Sequence, residues 1–580
     1  MKSVRLVQIF CPVKETNRTH SKGYVEDLST QRGRKRCAKM AVLNLSVLPK
    51  IAAPIWRKRG MRSKGGCVMK KLLLWCMAVI LLALTGGCVG ERADEAHGAR
   101  LVYATKDYEE IDVLVDEYSE IGQLLFDGLM RRDENNDIVP ALAESVEYDP
   151  ATDTYVFHLR KDVHWHDGKP LRAADVKFTI EAIRDPRIHS LHAPNFEDVS
   201  EITEVDDQTV RIRLSAPNAA FLDYMMQPIL PAHLLAGQDL TTTGFFRNPV
   251  GTGPFRMERW EAGKEIVLVK NEDYYRGAPK IDCFVVKIVA DDAAEAKALA
   301  DGTADLARLA PQTAVPFEGK ERNRYYAMKS SNYGSILINW THPYWQRNRD
   351  LLPAIAYAID RAAVVNEALR GHGMPAYGPL QRSSYDNPNV PHYDYDPAKA
   401  RTILEAAGCT KGSDGYYMRG GEEVGFVLTV KNDKHSRIDI ANVVAAQLCA
   451  VGIHCTVETP AQVDWDGQMA YLSGVGNEID PDAHTYKVYS TNGRGNDSHY
   501  SNPRVDEYLL AARRTTDSAE RMRLYGLFQE EVTKDLPYIY ICYIDFIYVT
   551  SARVHGITPD RLLGYRGIGF FWNVNEWTVD

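Results

Sequence analysis

Most of the motifs that mark enzymes are missing from this 580-residue chain. It has no GxSxG elbow, no HExxH zinc signature, no GxGxxG dinucleotide fingerprint and no lysine placed after a glycine-rich loop as phosphate binding requires. Catalytic triads are geometric rather than sequential, so these absences lower a catalytic reading without excluding it. None of the ten cysteines falls in a CxxC, which leaves a zinc knuckle or a thioredoxin-like site unsupported. Five of them (Cys283, Cys409, Cys449, Cys455 and Cys542) lie in the body, and an odd number cannot all pair internally. Buried thiols are the default, and a Cys449–Cys455 bridge stays open. Positive charge is scarce beyond the front end. The formal charge of −8 divides into +13 over residues 1–68 and −21 over the remainder, and so acidic a body argues against nucleic acid as a partner. The apolar run Leu72–Leu84 stops at 13 residues, short of the about 20 that cross a bilayer.

That short run suits a leader better than a span. Lys70 and Lys71 precede it, and small residues lead from it into Cys88. The stretch resembles a bacterial lipobox, with Cys88 as the lipidated first residue and Thr85 standing where leucine is usual. Residues 69–87 are therefore read as a lipoprotein signal peptide and 88–100 as a tether. The basic segment 1–68, ahead of a leader, reads as a start assigned too early, with Met69 the true beginning, or as a disordered basic segment.

Within the body, NPVGTGPFRMERW (Asn248–Trp260) packs two prolines and two glycines between apolar segments. Proline fixes its own φ and glycine admits positive φ, so the chain is expected to turn tightly and release into a strand. Upstream, LVYAT (101–105) and TYVFHLR (154–160) read as strands, and Ile121–Met130 as a helix with Leu124, Leu125 and Leu129 on one face. Asp167-Gly168 marks a turn before a helix over Ala173–Ile183. His164 and His166 share a strand face, which is compatible with a metal. Downstream, 282–289 reads as a strand, 291–302 as a helix, 331–340 as a strand and 348–361 as a helix with Pro353 in its first turn. GFVLTV (425–430), a helix over 439–452 and IHCTVET (453–459) then predict a parallel α/β unit.

The ordered series NPVGTGPF, VHWHDGKPLRAADVKF, PAHLL, AIAYAIDR, DPAKARTILEAAG and the block from Asn502 to Tyr543 resembles the bacterial family 5 solute-binding proteins. These deliver peptides, nickel and related ligands to ABC importers, and the resemblance runs from about Leu101 to Ile557. It implies an α/β, two-lobed periplasmic-binding-protein-like fold with a hinge and an extra subdomain in lobe I. Lobe I would comprise 101–332 and a return over 541–580, with lobe II over 333–540 and crossings near Tyr333 and Ile541. A peptide or other small solute would be trapped between the lobes and passed to a membrane permease. The protein would be a lipid-anchored, extracytoplasmic monomer without catalysis, cofactor, metal or nucleic acid. A metal chelate, haem or another non-peptide solute on the same fold stays open, as does a secreted hydrolase or structural lipoprotein.

Tyrosine is abundant (31) and tryptophan adds 9. Such side chains offer large contact area with a polar tip. Tyr333 and Tyr344 near the crossing, and Trp465 and Tyr471 near the ligand loop, are the aromatic candidates. Peptide binders of the family carry an Asp that holds the ligand amine, in a loop ending in Asp-Pro. Aligned on Asp480-Pro481, this chain has Asn477 at that position and Gly474 where a tryptophan is usual. Glu478 or Asp480 is the expected substitute carboxylate.

Overall fold

A computed structural model describes residues 98–108, 111–115, 120–433, 435–476 and 480–580. The segment 1–68, the leader, Cys88, most of the tether, Asn477 and Glu478 lie outside the described residues.

One mixed sheet runs through the body. Its ten principal strands, in chain order, are β1 (Arg100–Thr105), β2 (Phe255–Glu261), β3 (Glu265–Lys270), β4 (Cys283–Ile288), β5 (Leu306–Leu309), β6 (Asn323–Ile338), β7 (Gly425–Thr429), β8 (His454–Glu458), β9 (Ala470–Gly476) and β10 (Tyr538–Ser551). In space they lie β8-β7-β9-β6-β10-β5-β1-β4-β3-β2. The near-continuous apolar runs of β1 and β4 fit their setting: the two pair in parallel, and β1 is buried at Leu101, Tyr103 and Ala104. β7 and β8 are parallel, joined by the helix His435–Val451. This is the unit read from the sequence, although the helix begins four residues earlier than expected.

The hydrophobic cores separate by lobe. One gathers Leu101, Phe126, Phe255, Phe284, Phe571 and Trp577. The other gathers Ile336, Trp345, Leu352, Val364, Phe426 and Leu448. Strands β6 and β10 belong to both. Residues 323–329 of β6 pair with 545–551 of β10 on the lobe I side, and 333–337 pair with 538–543 on the lobe II side. The ladder breaks between Lys329 and Tyr333. The extra subdomain of lobe I is a four-stranded antiparallel sheet (Ala143–Asp149, Thr154–Leu159, Thr209–Leu214, Val199–Asp206). The helix Ala173–Arg184 packs on it through Val176, Ile180 and Ile183. After β10 the chain returns to the lobe I core through Leu563, Phe570 and Phe571.

Two expected helices are altered. Ile121–Met130 is helical only over Gly122–Leu125, and a strand follows at Met130–Arg132. The backbone of Gly128 lies so close to Met226 that a Cβ there would stand 2.5 Å from the Met226 carbonyl. Leu124, Leu125 and Leu129 are still buried, so the apolar spacing was satisfied by a packed loop. The 348–361 helix is broken into a 3-10 turn (Arg349–Leu351), a helix over Leu352–Tyr357 and a fresh helix from Arg361, capped by the Asp360 carboxylate on Ala363 N–H at 2.9 Å. Cys449 and Cys455 are not bridged; the Cys449 thiol points to the Cys455 carbonyl at 3.6 Å.

Candidate functional site

The Asn248–Trp260 stretch organises a cavity wall, for a reason other than the expected one. Neither Gly251 nor Gly253 has positive φ. Both are glycine because they press on the helix Gly122–Leu125: a Cβ at Gly251 would lie 1.8 Å from Leu125 O, and one at Gly253 would lie 2.5 Å from Leu125 C. His166 locks the loop in place. Gly251 N–H donates to its Nδ1 at 3.1 Å, and its Nε2 donates to Gly253 O at 3.0 Å, which fixes the neutral tautomer with the proton on Nε2. Burial holds the imidazole down at about 4. His166 therefore holds a turn together, while His164 is exposed.

So anchored, the segment 122–136 forms one wall of a lobe I cavity of about 240 Å³. The C-terminal return supplies another wall through Arg561, Gly569 and Trp572, and Gly569 N–H donates to Gln123 Oε1 at 3.1 Å. Asp127 faces this space and accepts from Tyr274 Oη at 3.1 Å; burial raises its carboxyl to about 6. Arg132 pairs with Asp223, and both residues, with Asn136, also line a second cavity of about 730 Å³.

That second cavity is the cleft between the lobes. Residues 132–138 form its lobe I side, and 379–385 with Asp480 form its lobe II side. Its lobe II wall is fastened to the crossing strands. Gln381 N–H donates to Tyr543 Oη at 3.0 Å, and Arg382 reaches Ser330 O at 2.9 Å and Asp545 at 2.7 Å.

The family model for bacterial extracellular solute-binding proteins, family 5 Middle, matches residues 137–496. Protein XP55 of Streptomyces lividans is 33% identical over 444 residues, covering 75% of this chain and 81% of its own. The chain belongs to family 5. The glutathione-binding protein GsiB of Pectobacterium atrosepticum is 28% identical, covering 77% of this chain and 88% of its own. The solved structure of NikZ from Campylobacter jejuni in complex with Ni(L-His) superposes with a TM-score of 0.78 at 31% identity, over 83% of this chain and 99% of that one. The two-lobed fold is thus shared with solved binding proteins. No described helix is long and apolar enough to cross a membrane.

The residues singled out from sequence are dispersed in this family 5 protein. Tyr333 is fully buried on β6, its hydroxyl 2.9 Å from that of Tyr489 in a cluster with Tyr540 and Tyr543. Tyr344 packs against the lobe II core and accepts from Gly425 N–H at 3.1 Å. Trp465, 42% exposed, meets the buried Tyr471 edge-on at 4.9 Å. None of these four aromatics is among the described residues lining either cavity. Asp480 does line the cleft, but its carboxylate is gripped bidentately by Arg521 at 2.6 and 2.8 Å, and one oxygen also accepts from Asp482 N–H at 2.9 Å. At Gly474, the family's tryptophan position, Arg437 covers the backbone: a Cβ would stand 2.3 Å from its Nε. Sequence reasoning passed over Arg131, Arg132, Arg276, Arg561, Gln123 and Trp572. The one local signal was the Arg131-Arg132 pair in a body of net −21.

Proposed function

We propose that this protein captures a small peptide between its lobes and hands it to an ABC permease, anchored outside the cytoplasmic membrane through a lipid on Cys88. The observation that carries the reading is the cleft of about 730 Å³, walled by both lobes beside the two crossing strands. Its volume falls in the range of small-molecule sites. The similarity to a protein named for glutathione binding supports a peptide-like solute. The 31% identity to NikZ, solved with Ni(L-His), favours a small chelate as the second reading.

With both Asp480 oxygens engaged by Arg521, Glu478 is the acid we assign to the ligand amine. A charge-assisted bond is worth about 1.5–3 kcal/mol against about 1 for a neutral one, so the amine should matter by roughly tenfold in affinity. Titration calorimetry with free and N-acetylated tripeptides tests this. Free peptides should bind about tenfold tighter, and Glu478→Gln should erase the gap. Equal binding of blocked and free peptides would remove amine recognition, and a nickel–histidine complex that binds where peptides do not would favour the chelate.

A further inference from the structure

The lobe I cavity runs against the charge of the body around it. Four guanidinium groups (Arg131, Arg132, Arg276 and Arg561) line it, against the carboxylates of Asp127 and Asp223. Asp223 is engaged by Arg132, and Asp127, which accepts from the Tyr274 hydroxyl, is also attracted by Arg276 and Arg131, so two acids face four guanidinium groups. The direct hydrogen bonds of the other three go to backbone carbonyls and the Tyr274 hydroxyl, with Asp127 near Arg276 and Asp133 and Glu134 near Arg561. Arg131 donates to Arg132 O at 3.3 Å, Arg276 to Trp572 O at 3.2 Å, and Arg561 to Asp133 O.

Carbonyls position a guanidinium without cancelling its charge, and buried charge is costly unless compensated. Burial and the neighbouring Arg132 push Arg561 down to about 10, and burial with Arg276 lowers Arg131. Hydrogen bonding shows the same imbalance. Gln123 Nε2, Arg561 Nε and Trp572 Nε1 are buried without a partner among the described residues, and all three are donors. The Gln123 amide cannot simply turn over, because its Oε1 holds Gly569 N–H. Arg561, 5% exposed, is steadied over the Trp572 ring at 4.9 Å.

A wall with surplus guanidinium charge calls for a ligand that brings negative charge and acceptor oxygens. Carboxylates match the guanidinium fork in both respects. We infer that this cavity anchors the carboxylate end of an anionic solute, with the rest of the ligand in the adjoining cleft. Arg132, with Asp223 paired to it, and Asn136 lie on the walls of both cavities and mark the junction. This rests on the capture reading above and adds the orientation and charge of what is captured.

Three probes separate the two claims: the peptide Ala-Ala-Glu, its uncharged-end counterpart Ala-Ala-Gln-amide, and citrate. Each is titrated into the full protein and into Arg131→Gln and Arg561→Gln, with melting curves to verify folding. Ala-Ala-Glu should bind at least about tenfold tighter than the amide, and both substitutions should narrow that gap to less than about threefold. Should Arg561→Gln fail to fold, the half-buried Arg131→Gln carries the test. Citrate binding that depends on the arginines, with neither peptide bound, would uphold the anion site and remove the peptide reading. Equal binding of acid and amide, a gap that neither substitution changes, or no binding of any probe at about 1 mM would overturn the inference.

Discussion

His166 shows how one side chain ties a distant motif to the site. Its ring holds the backbone of Gly251 and Gly253, and these glycines seat the segment that carries Asp127, Arg131 and Arg132. In the fold its imidazole is held at about 4, against an ordinary value near 6.5 in the unfolded chain. Between those values the unfolded chain binds a proton that the folded one refuses. Its contribution is therefore complete above pH about 6.5 and is lost as pH falls through about 4. His166→Ala leaves Gly251 N–H and Gly253 O unpaired and should cost about 1–3 kcal/mol in urea denaturation at pH 7. The gap to the unmutated protein should shrink at pH 5. His484, also buried and held at about 4, is present in both proteins and so drops out of the comparison. A gap of equal size at both pH values would show that the imidazole is not the titrating group.

At the scale of elements, what could be read in the chain depended on whether the reason was local. The β7–helix–β8 unit announces itself because β7 is an apolar run paired in parallel and its crossover helix is long. The short helix Gly122–Leu125 does not, because what ends it is the close approach of Met225 and Met226 at Gly128, a contact about 100 residues away in sequence. The arginine-lined cavity is hidden for the same reason: positions 131, 276 and 561 meet only once β10 has returned the chain to lobe I. Asp480 could be found from its Asp-Pro landmark, whereas its partner Arg521, on the third helix after it, could not. A second ion pair joins the helices Asp482–Tyr489 and Pro503–Arg514. Asp482 and Arg513 meet at 2.8 Å, each 1% exposed, and the lobe I hydroxyl of Tyr224 donates to the same carboxylate. Asp482→Asn leaves the buried Arg513 only the half-exposed Glu197 as a charged partner and should destabilise by about 3 kcal/mol. The double variant Asp482→Leu with Arg513→Met should recover most of that loss. Additive single costs in the double-mutant cycle would mean that the two side chains act independently.

At the scale of the molecule, the two crossing strands set how the lobes can move. β6 and β10 are hydrogen-bonded on either side of the break at 330–332, so the ladder is weakest where the lobes meet. The lobes also touch away from the strands. Arg514 pairs with Asp198 at 2.7 Å, Arg513 with Glu197 at 2.8 Å, and Ala219 N–H donates to Arg513 O at 2.8 Å. Arg514 is 30% exposed but grips the buried Asp198 bidentately at 2.7 and 2.8 Å, so this pair contributes about 1 kcal/mol, the upper end for partly exposed pairs. Such contacts bias closure without enforcing it, and the ligand must supply the rest through bonds made to both walls. A ligand at 100 times its Kd adds about 2.7 kcal/mol to the state that binds it, enough to carry a closed fraction of about one in ten to about nine in ten. Small-angle scattering should accordingly show the radius of gyration falling at saturation. Arg514→Gln should raise it in the free protein and weaken binding by up to about fivefold, the equivalent of about 1 kcal/mol. A radius of gyration that stays constant while calorimetry proves saturation would mean that solute enters a cleft already closed. The break in β6 would then be a feature of packing rather than a hinge.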